Sequence, residues 1–218
     1  MPGDPSEAPV AEAVAVPLPE HGWVSDAVAM AQRCRALVVG PGLGRAVPTG
    51  ADVRALVAAA TAPVVVDADG LYALGTGDEV AAAVRRSPHA VVLTPHEGEF
   101  TRLAGSAPGA DRIDAAVRLA GAVGAVVLLK GPATVVADPT GDVLVATAGT
   151  PRLATAGTGD VLSGAIGAFV ARGVAVHAAA ALAAHVHGRA AELGRREGLV
   201  AGDLADLVAA WLSAIRRA

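Results

Sequence analysis

Ala36-Leu37-Val38-Val39-Gly40-Pro41-Gly42-Leu43-Gly44 is a short apolar run that stops at a cluster of glycines. Nothing in the run alternates with polar residues, so it reads as a strand buried on both faces, followed by a tight turn. The same grammar recurs along the chain. Pro63-Val64-Val65-Val66 ends in Asp67-Ala68-Asp69, and Ala90-Val91-Val92-Leu93-Thr94 ends in Pro95-His96-Glu97-Gly98-Glu99. Ala125 to Leu129 ends in Lys130-Gly131-Pro132-Ala133-Thr134. Helical stretches lie between these runs, at Ala51 to Ala60, Glu79 to Arg86, Glu97 to Ala104 and Ile113 to Val123. Strands alternating with helices predict an α/β fold with a mostly parallel central sheet and helices on both faces. Thr134 to Ala137 and Asp142 to Thr147, joined by Asp138-Pro139-Thr140-Gly141, predict a hairpin at the sheet edge. Three helices are expected to close the chain, over Val161 to Ala171, Ala175 to Arg195 and Leu204 to Ile215.

Composition narrows the function classes. The 218 residues suffice for one large core, and 53% hydrophobic against 17% charged residues rules out global disorder. A net charge of −4 and 2% aromatics argue against a nucleic-acid surface. Cys34 is the only cysteine, so neither an internal disulfide nor a thiolate cluster is available, and a buried, inert thiol is expected. Val161 to Val186 is long and apolar but carries Arg172, Gly173, His177 and His185. It reads as two packed helices rather than a membrane span. No Lys or Arg precedes Arg33, so a basic-start secretory signal is not expected and a cytoplasmic location is. Residues 1–22 hold five prolines and four acidic residues and read as an irregular segment before one domain over 23–218.

In open α/β sheets, ligands gather at the carboxyl ends of the strands, where the polar residues quoted above fall. A further segment supplies an anion site. In Ala156-Gly157-Thr158-Gly159-Asp160-Val161-Leu162-Ser163-Gly164, two glycines flank a threonine and lead into an apolar helical run. Unpaired N–H groups at a helix start attract phosphate, and glycines let a ligand approach the backbone. Asp160 is then either a base beside that site or an ordinary N-terminal cap. A helix start should hold its pKa down, and adjacent phosphates should push it up.

The remaining motifs stay open on their residues alone. Gly40-x-Gly42-x-Gly44 lacks the dinucleotide-binding spacing and suits a structural turn as well as a ligand contact. Lys130, the only lysine, is either a phosphate-binding ammonium or a solvated surface charge. His96, Glu97 and Glu99 do not have the makings of a zinc site, and no metal ligand is assigned. His185 and His187 diverge on a helix and read as packing or surface residues. Asp67 and Asp69 could meet Mg²⁺ through water, but a structural capping role is preferred.

Four of these segments, Val38–Gly44, Leu93–Phe100, Leu129–Thr134 and Ala154–Gly164, together resemble the ADP-dependent NAD(P)H-hydrate dehydratase family of ribokinase-like fold, over about residues 36–215, and Val64–Leu71 also matches the family's strand-end pattern. The resemblance implies dehydration of the S-epimer of hydrated NADH or NADPH, with ADP as co-substrate and Mg²⁺ present, and release of AMP and phosphate. It implies nucleotide contacts at Lys130, Gly131, Pro132, Ala133, Thr134 and Gly159. It places the hydrate at Gly42, Gly44, His96, Glu99 and Asp160, with Asp160 catalytic. The expected partners are the hydrate and ADP, with neither nucleic acid nor membrane, and a homo-oligomer is expected. Residues 1–22 do not carry the strand, glycine-rich segment and helix with which the family's domains usually begin. The alternatives are a kinase of a small vitamin precursor on the same fold, and a non-catalytic nucleotide-binding remnant.

Overall fold

The computed structural model describes residues 13–215. Its sheet has six strands: β1 (Leu37–Val39), β2 (Val64–Val66), β3 (Val91–Leu93), β4 (Val126–Leu129), β5 (Thr134–Ala137) and β6 (Val143–Ala146). They lie in chain order, β1 to β4 parallel and β5 and β6 antiparallel. The hairpin therefore sits at the edge, as its turn sequence requires. Asp138 sets that turn, its Oδ1 accepting from the N–H groups of Thr140 at 2.8 Å and Asp142 at 3.1 Å.

The parallel strands never reverse direction across the sheet. Crossovers of one hand then place all their helices on one face. That face carries α1 (Val24–Ala31), α2 (Val47–Ala59), α3 (Ala68–Leu74), α4 (Gly77–Arg86), α5 (Glu97–Ala104) and α6 (Arg112–Val123). It packs Leu71, Leu74, Phe100, Leu103 and Leu119 on Val64, Val66, Leu93, Val127 and Leu129. The opposite face takes α7 (Thr158–Ala171), α8 (Val176–Leu193) and α9 (Ala201–Ile215). There the alternate residues Val65, Val92, Val126 and Leu128 meet Ile166, Ala179, Ala180 and Ala183. Both sets of residues in β2 to β4 are buried, which is why those runs are apolar throughout rather than alternating. Strand β1, expected to be buried on both faces, is instead the sheet's edge strand and leaves Val38 41% exposed. Helix α7 comes so close to the sheet that a Cβ on Gly167 would lie 2.7 Å from Val38 Cγ2.

Several expectations change in detail. Helices α1 and α3 were not anticipated: Trp23 caps α1 without a side-chain bond, and α3 starts one residue after the strand end at Asp67. Helix α2 begins at Val47, not Ala51, because a proline is accommodated in a first turn. Cys34 is exposed, not buried: it lies in the turn that leads α1 away to solvent before β1. Residues 13–22 contain neither helix nor strand, and 1–12 lie outside the described residues. Among the described residues, no helix is long and apolar enough to cross a membrane. Val161 to Val186 is divided between α7 and α8, as its charged residues require.

Candidate active site

Each parallel strand hands its hydrogen bonding to the next one residue beyond its end. The Asp67 amide donates to Val39 O at 3.0 Å, the Thr94 amide to Val66 O at 3.2 Å and the Lys130 amide to Pro95 O at 2.9 Å. Asp67, Thr94 and Lys130 are thereby fixed along one rim. Asp67 is its hub. Only 1% exposed, it accepts from Ala68 N–H and Lys130 Nζ at Oδ1, both at 2.9 Å, and from Ser163 Oγ at Oδ2, at 2.6 Å. A buried carboxylate needs such partners, because the charge would otherwise lose its hydration without replacement. The structural cap expected of Asp67 is only part of its role. It does cap α3, and it also holds the lysine.

Lys130 is not a solvated surface residue. Its ammonium is shared between Asp67 and, at 3.8 Å, Glu99 Oε2. Gly159 faces the same ammonium: a Cβ there would lie 3.4 Å from Lys130 Nζ and 3.8 Å from Asp67 Oδ2. Glycine therefore leaves the space between the start of α7 and the ion pair open.

The cap of α7 is Gly157 at φ +86°, with no side-chain bond, so Asp160 is not the cap. Thr158 Oγ1 lies within 2.8 Å of two carbonyl oxygens, those of Leu153 and Thr155, and ties the preceding loop down. Among the described residues, the Asp160 carboxylate accepts no hydrogen bond. Its pKa is raised, against the lowering expected from the helix start. Partial desolvation is the largest cause, followed by the negative charge of Asp67; Lys130 opposes them, and Asp69 adds a further push upward. The pull of the helix start is outweighed by desolvation first and by the neighbouring carboxylates second.

Asp69 works on the other side of the rim. Its Oδ2 accepts from Gly44 N–H at 3.0 Å and its Oδ1 from Arg45 Nε at 2.9 Å. This ties down the glycine loop after β1. Gly40, at φ +134°, packs so closely on the Asp67 carbonyl that any side chain would overlap it. Between the two aspartates, Ala68 takes a φ of +48°, unusual for a residue with a Cβ. His96 caps α5: its Nδ1 accepts from Gly98 N–H at 3.0 Å and Glu99 N–H at 3.3 Å, and Glu99 Oε2 accepts from His96 N–H at 2.9 Å. Between α3 and α5 opens a cavity of about 230 Å³, lined by Arg45, Ala68, Tyr72, His96, Glu99 and Arg102 among others.

The structure thus gathers Lys130, Gly159, Asp160, His96 and Glu99 on one rim. Gly42 stands on an exposed loop with nothing within reach of a Cβ, and Gly44 differs by its bond to Asp69. Gly131 and Pro132 are exposed, Ala133 and Thr134 half-buried, and Thr134 opens β5 opposite Ala146. Arg112 supports this loop by donating from Nη2 to Lys130 O at 2.8 Å. His187 is buried on α8, where desolvation lowers its pKa against the opposing pull of a hydrogen bond with the Thr158 backbone, and His185 meets Trp211 edge-on at 5.8 Å, so both pack as read. Sequence reasoning missed Ser163, Arg112, Arg45, Tyr72 and Arg102. Ser163 lay inside the quoted motif one helical turn after Gly159, and that spacing was the available signal. Among the described residues, no three His, Cys, Asp or Glu side chains group to hold a metal ion.

A family model described as NAD(P)H-hydrate dehydratase matches residues 3–212, reaching well upstream of the motifs that begin near residue 36. The bifunctional NAD(P)H-hydrate repair enzyme Nnr of Mycobacterium tuberculosis is 50% identical over 121 residues. That stretch is 56% of this chain and 25% of that protein, so the match spans about a quarter of its curated relative. The ADP/ATP-dependent NAD(P)H-hydrate dehydratase of Bacillus subtilis, co-crystallised with ATP/Mg²⁺ and soaked with CoA, superposes with a TM-score of 0.70 at 30% identity. The match covers 85% of this chain and 70% of that one. A ribokinase-like superfamily protein of Enterococcus faecalis shares the fold, with a TM-score of 0.70 at 20% identity over 87% of this chain and 66% of its own. The chain belongs to the NAD(P)H-hydrate dehydratase family and has its ribokinase-like fold.

Proposed function

We propose that this chain restores the S-epimer of hydrated NADH or NADPH to the reduced cofactor, with ADP as phosphoryl donor and AMP and phosphate as products. The observation that carries this reading is the pairing of two groups across Gly159. On one side is the Lys130 ammonium, anchored by Asp67; on the other is Asp160, with a raised pKa and no hydrogen-bond partner among the described residues. Lys130 and the α7 backbone from Gly157 to Gly159 suit the nucleotide phosphates. The loop Gly131–Thr134, braced by Arg112, is proposed to carry the rest of the nucleotide. Gly42, Gly44, His96 and Glu99 are proposed to line the hydrate site.

In this reading the C6 hydroxyl oxygen attacks the β-phosphorus of ADP, and Asp160 takes the hydroxyl proton as the bond to AMP breaks. The ring nitrogen then expels phosphate from C6, and loss of the C5 proton restores the double bond. A raised pKa suits Asp160 to the task, since a base works best when its pKa approaches the operating pH. The described residues offer no ready-made metal cage, and Asp67 is already committed. Mg²⁺ would therefore be held mainly by the nucleotide, with Asp160 and Asp69 the carboxylates that add negative potential nearby. When bound, it supplies neutralisation of phosphate charge. The same reading puts the protein in the cytoplasm, as a homo-oligomer.

The test is incubation of the folded protein with NADH hydrate, ADP and Mg²⁺. Dihydronicotinamide absorbance should return with one AMP formed per cofactor restored. A stable phosphorylated product, or no recovery with either ADP or ATP, would overturn the assignment.

A further inference from the structure

We propose that the cavity beside Tyr72 seats the diphosphate bridge of the dinucleotide hydrate, gripped by Arg102 and assisted by Arg45. The inference rests on the dehydratase reading and adds a subsite to it. Size is the first argument. The cavity, about 230 Å³, exceeds a water's share of roughly 30 Å³. It falls short of the roughly 300–1,000 Å³ that encloses a whole drug-sized ligand. It fits a portion of a dinucleotide rather than all of it.

Charge is the second. The Arg102 guanidinium lies 3.8 Å from the Tyr72 ring centroid and that of Arg45 lies 4.9 Å from the same ring. Arg45 spends its Nε on Asp69, and Arg102 donates from Nη2 to Tyr72 O at 3.3 Å. Among the described residues, no carboxylate pairs with Arg102. Stacking covers the face of a guanidinium and leaves its N–H groups in plane at the edge. Two guanidinium groups on one tyrosine thus bring to the wall of one cavity the kind of donors that phosphate oxygens accept.

Continuity is the third. Glu99 lines the cavity and also stands 3.8 Å from Lys130 Nζ. A ligand seated against Tyr72 is thus adjacent to the rim that holds Lys130 and Asp160. That arrangement lets one molecule place its phosphates in the cavity and its reactive ring at the rim.

The experiment compares the hydrate of NADH with the hydrate of reduced nicotinamide mononucleotide, which lacks the bridge. Arg102→Gln should raise KM for the dinucleotide hydrate about tenfold or more, the scale of a lost charge-assisted bond. It should leave kcat within about twofold and leave both constants for the mononucleotide hydrate unchanged. Arg45→Gln should act the same way more weakly, and Arg102→Lys should fall between. Melting curves identify any variant that fails to fold, and Arg102→Lys then carries the comparison. Normal turnover with an unchanged KM in Arg102→Gln and Arg45→Gln overturns the seat. If the wild type turns over neither hydrate, the dehydratase reading fails, and calorimetric titration with NADPH decides the seat by itself. Weakening by about tenfold in Arg102→Gln supports it; equal affinity, or no binding to the wild type, overturns it.

Discussion

Asp67 and Asp69 are two residues apart, and they serve opposite kinds of region. Asp67 faces a sealed hub: 1% exposed, it binds a lysine, a serine and a backbone amide at once. Asp69 serves the edge of an open cavity through its partners: it steadies a glycine loop and the exposed Arg45, which lines the cavity, while Arg102 stays without a carboxylate partner among the described residues. Ala68, in a left-handed conformation between them, turns one side chain to each region. The contrast separates two demands on one site. Chemistry is favoured by groups whose positions are fixed before the substrate arrives, and binding by donors that are not yet spent.

Damage to the hub should therefore cost turnover and stability, whereas damage to the cavity should cost affinity. The largest effect is expected at Asp160. Asp160→Asn removes the proposed base and should lower kcat by about 10²–10⁴ while ADP still binds, as calorimetry would show. The wild-type kcat should fall with decreasing pH through the raised pKa of Asp160, above the ordinary value of 3.8. This acid limb should disappear in the variant. The sign of the stability effect follows from the same shift. A carboxylate whose folded pKa lies above its unfolded one destabilises the folded state once ionised, so Asp160→Asn should melt no lower than wild type at neutral pH. A collapsed melting temperature with normal activity in the folded fraction would return Asp160 to a structural role.

Next comes the hub itself. Asp67→Asn leaves the Lys130 ammonium with Glu99 alone at 3.8 Å. Breaking a buried pair from one side costs about 3–5 kcal/mol, and the lower end applies because Lys130 is partly exposed. Adding Lys130→Met removes the orphaned charge. The double variant should recover at least half of the lost stability in urea melts while ADP affinity stays low. If Asp67→Asn changes only KM for the hydrate, the division between hub and cavity is wrong.

The smallest effect is expected where the two regions meet. His96→Ala removes the Nδ1 acceptor of the α5 cap and should cost about 0.5–2 kcal/mol, the range of a lost N-cap. His96→Asn keeps a capping group and should restore most of that stability. A KM for the hydrate that stays high in His96→Asn would sharpen the assignment of the imidazole to substrate binding; a KM that recovers with stability would confine it to capping.

The rim was legible in the sequence because parallel strands buried on both faces leave continuous apolar runs, and each run stops where polar residues begin. That pattern located Gly40, Asp67, His96 and Lys130 at strand ends. The linkage among them was not legible. Nothing local to Asp67 announces that Ser163, from the far face of the sheet, donates to it. Arg102 and Tyr72 are likewise brought together only by the packing of α5 on α3. Asp160 shows the limit of a local rule, since its helix position predicts a lowered pKa, whereas desolvation and then the charge of tertiary neighbours raise it. Cys34 failed for a similar reason: cysteine is commonly buried, but the chain leaves α1 there toward solvent.

The Asp67 hub also has a consequence for how the chain acquires its structure. Its bond to Lys130 spans 63 residues and its bond to Ser163 spans 96, whereas the β5–β6 hairpin and the helices close over short distances. Loop closure grows costlier with separation, by about 0.6 kcal/mol per doubling of length, and contacts remote in sequence slow folding. The rim should thus be the last part of the molecule to set and the first to loosen. Native-state hydrogen exchange should find the amides of Ala68 and Asp160 opening more readily than those of Val65 and Val127. A nucleotide that bridges Lys130 and the start of α7 would then act as a late folding ligand, raising the population of assembled sites by mass action before it donates anything.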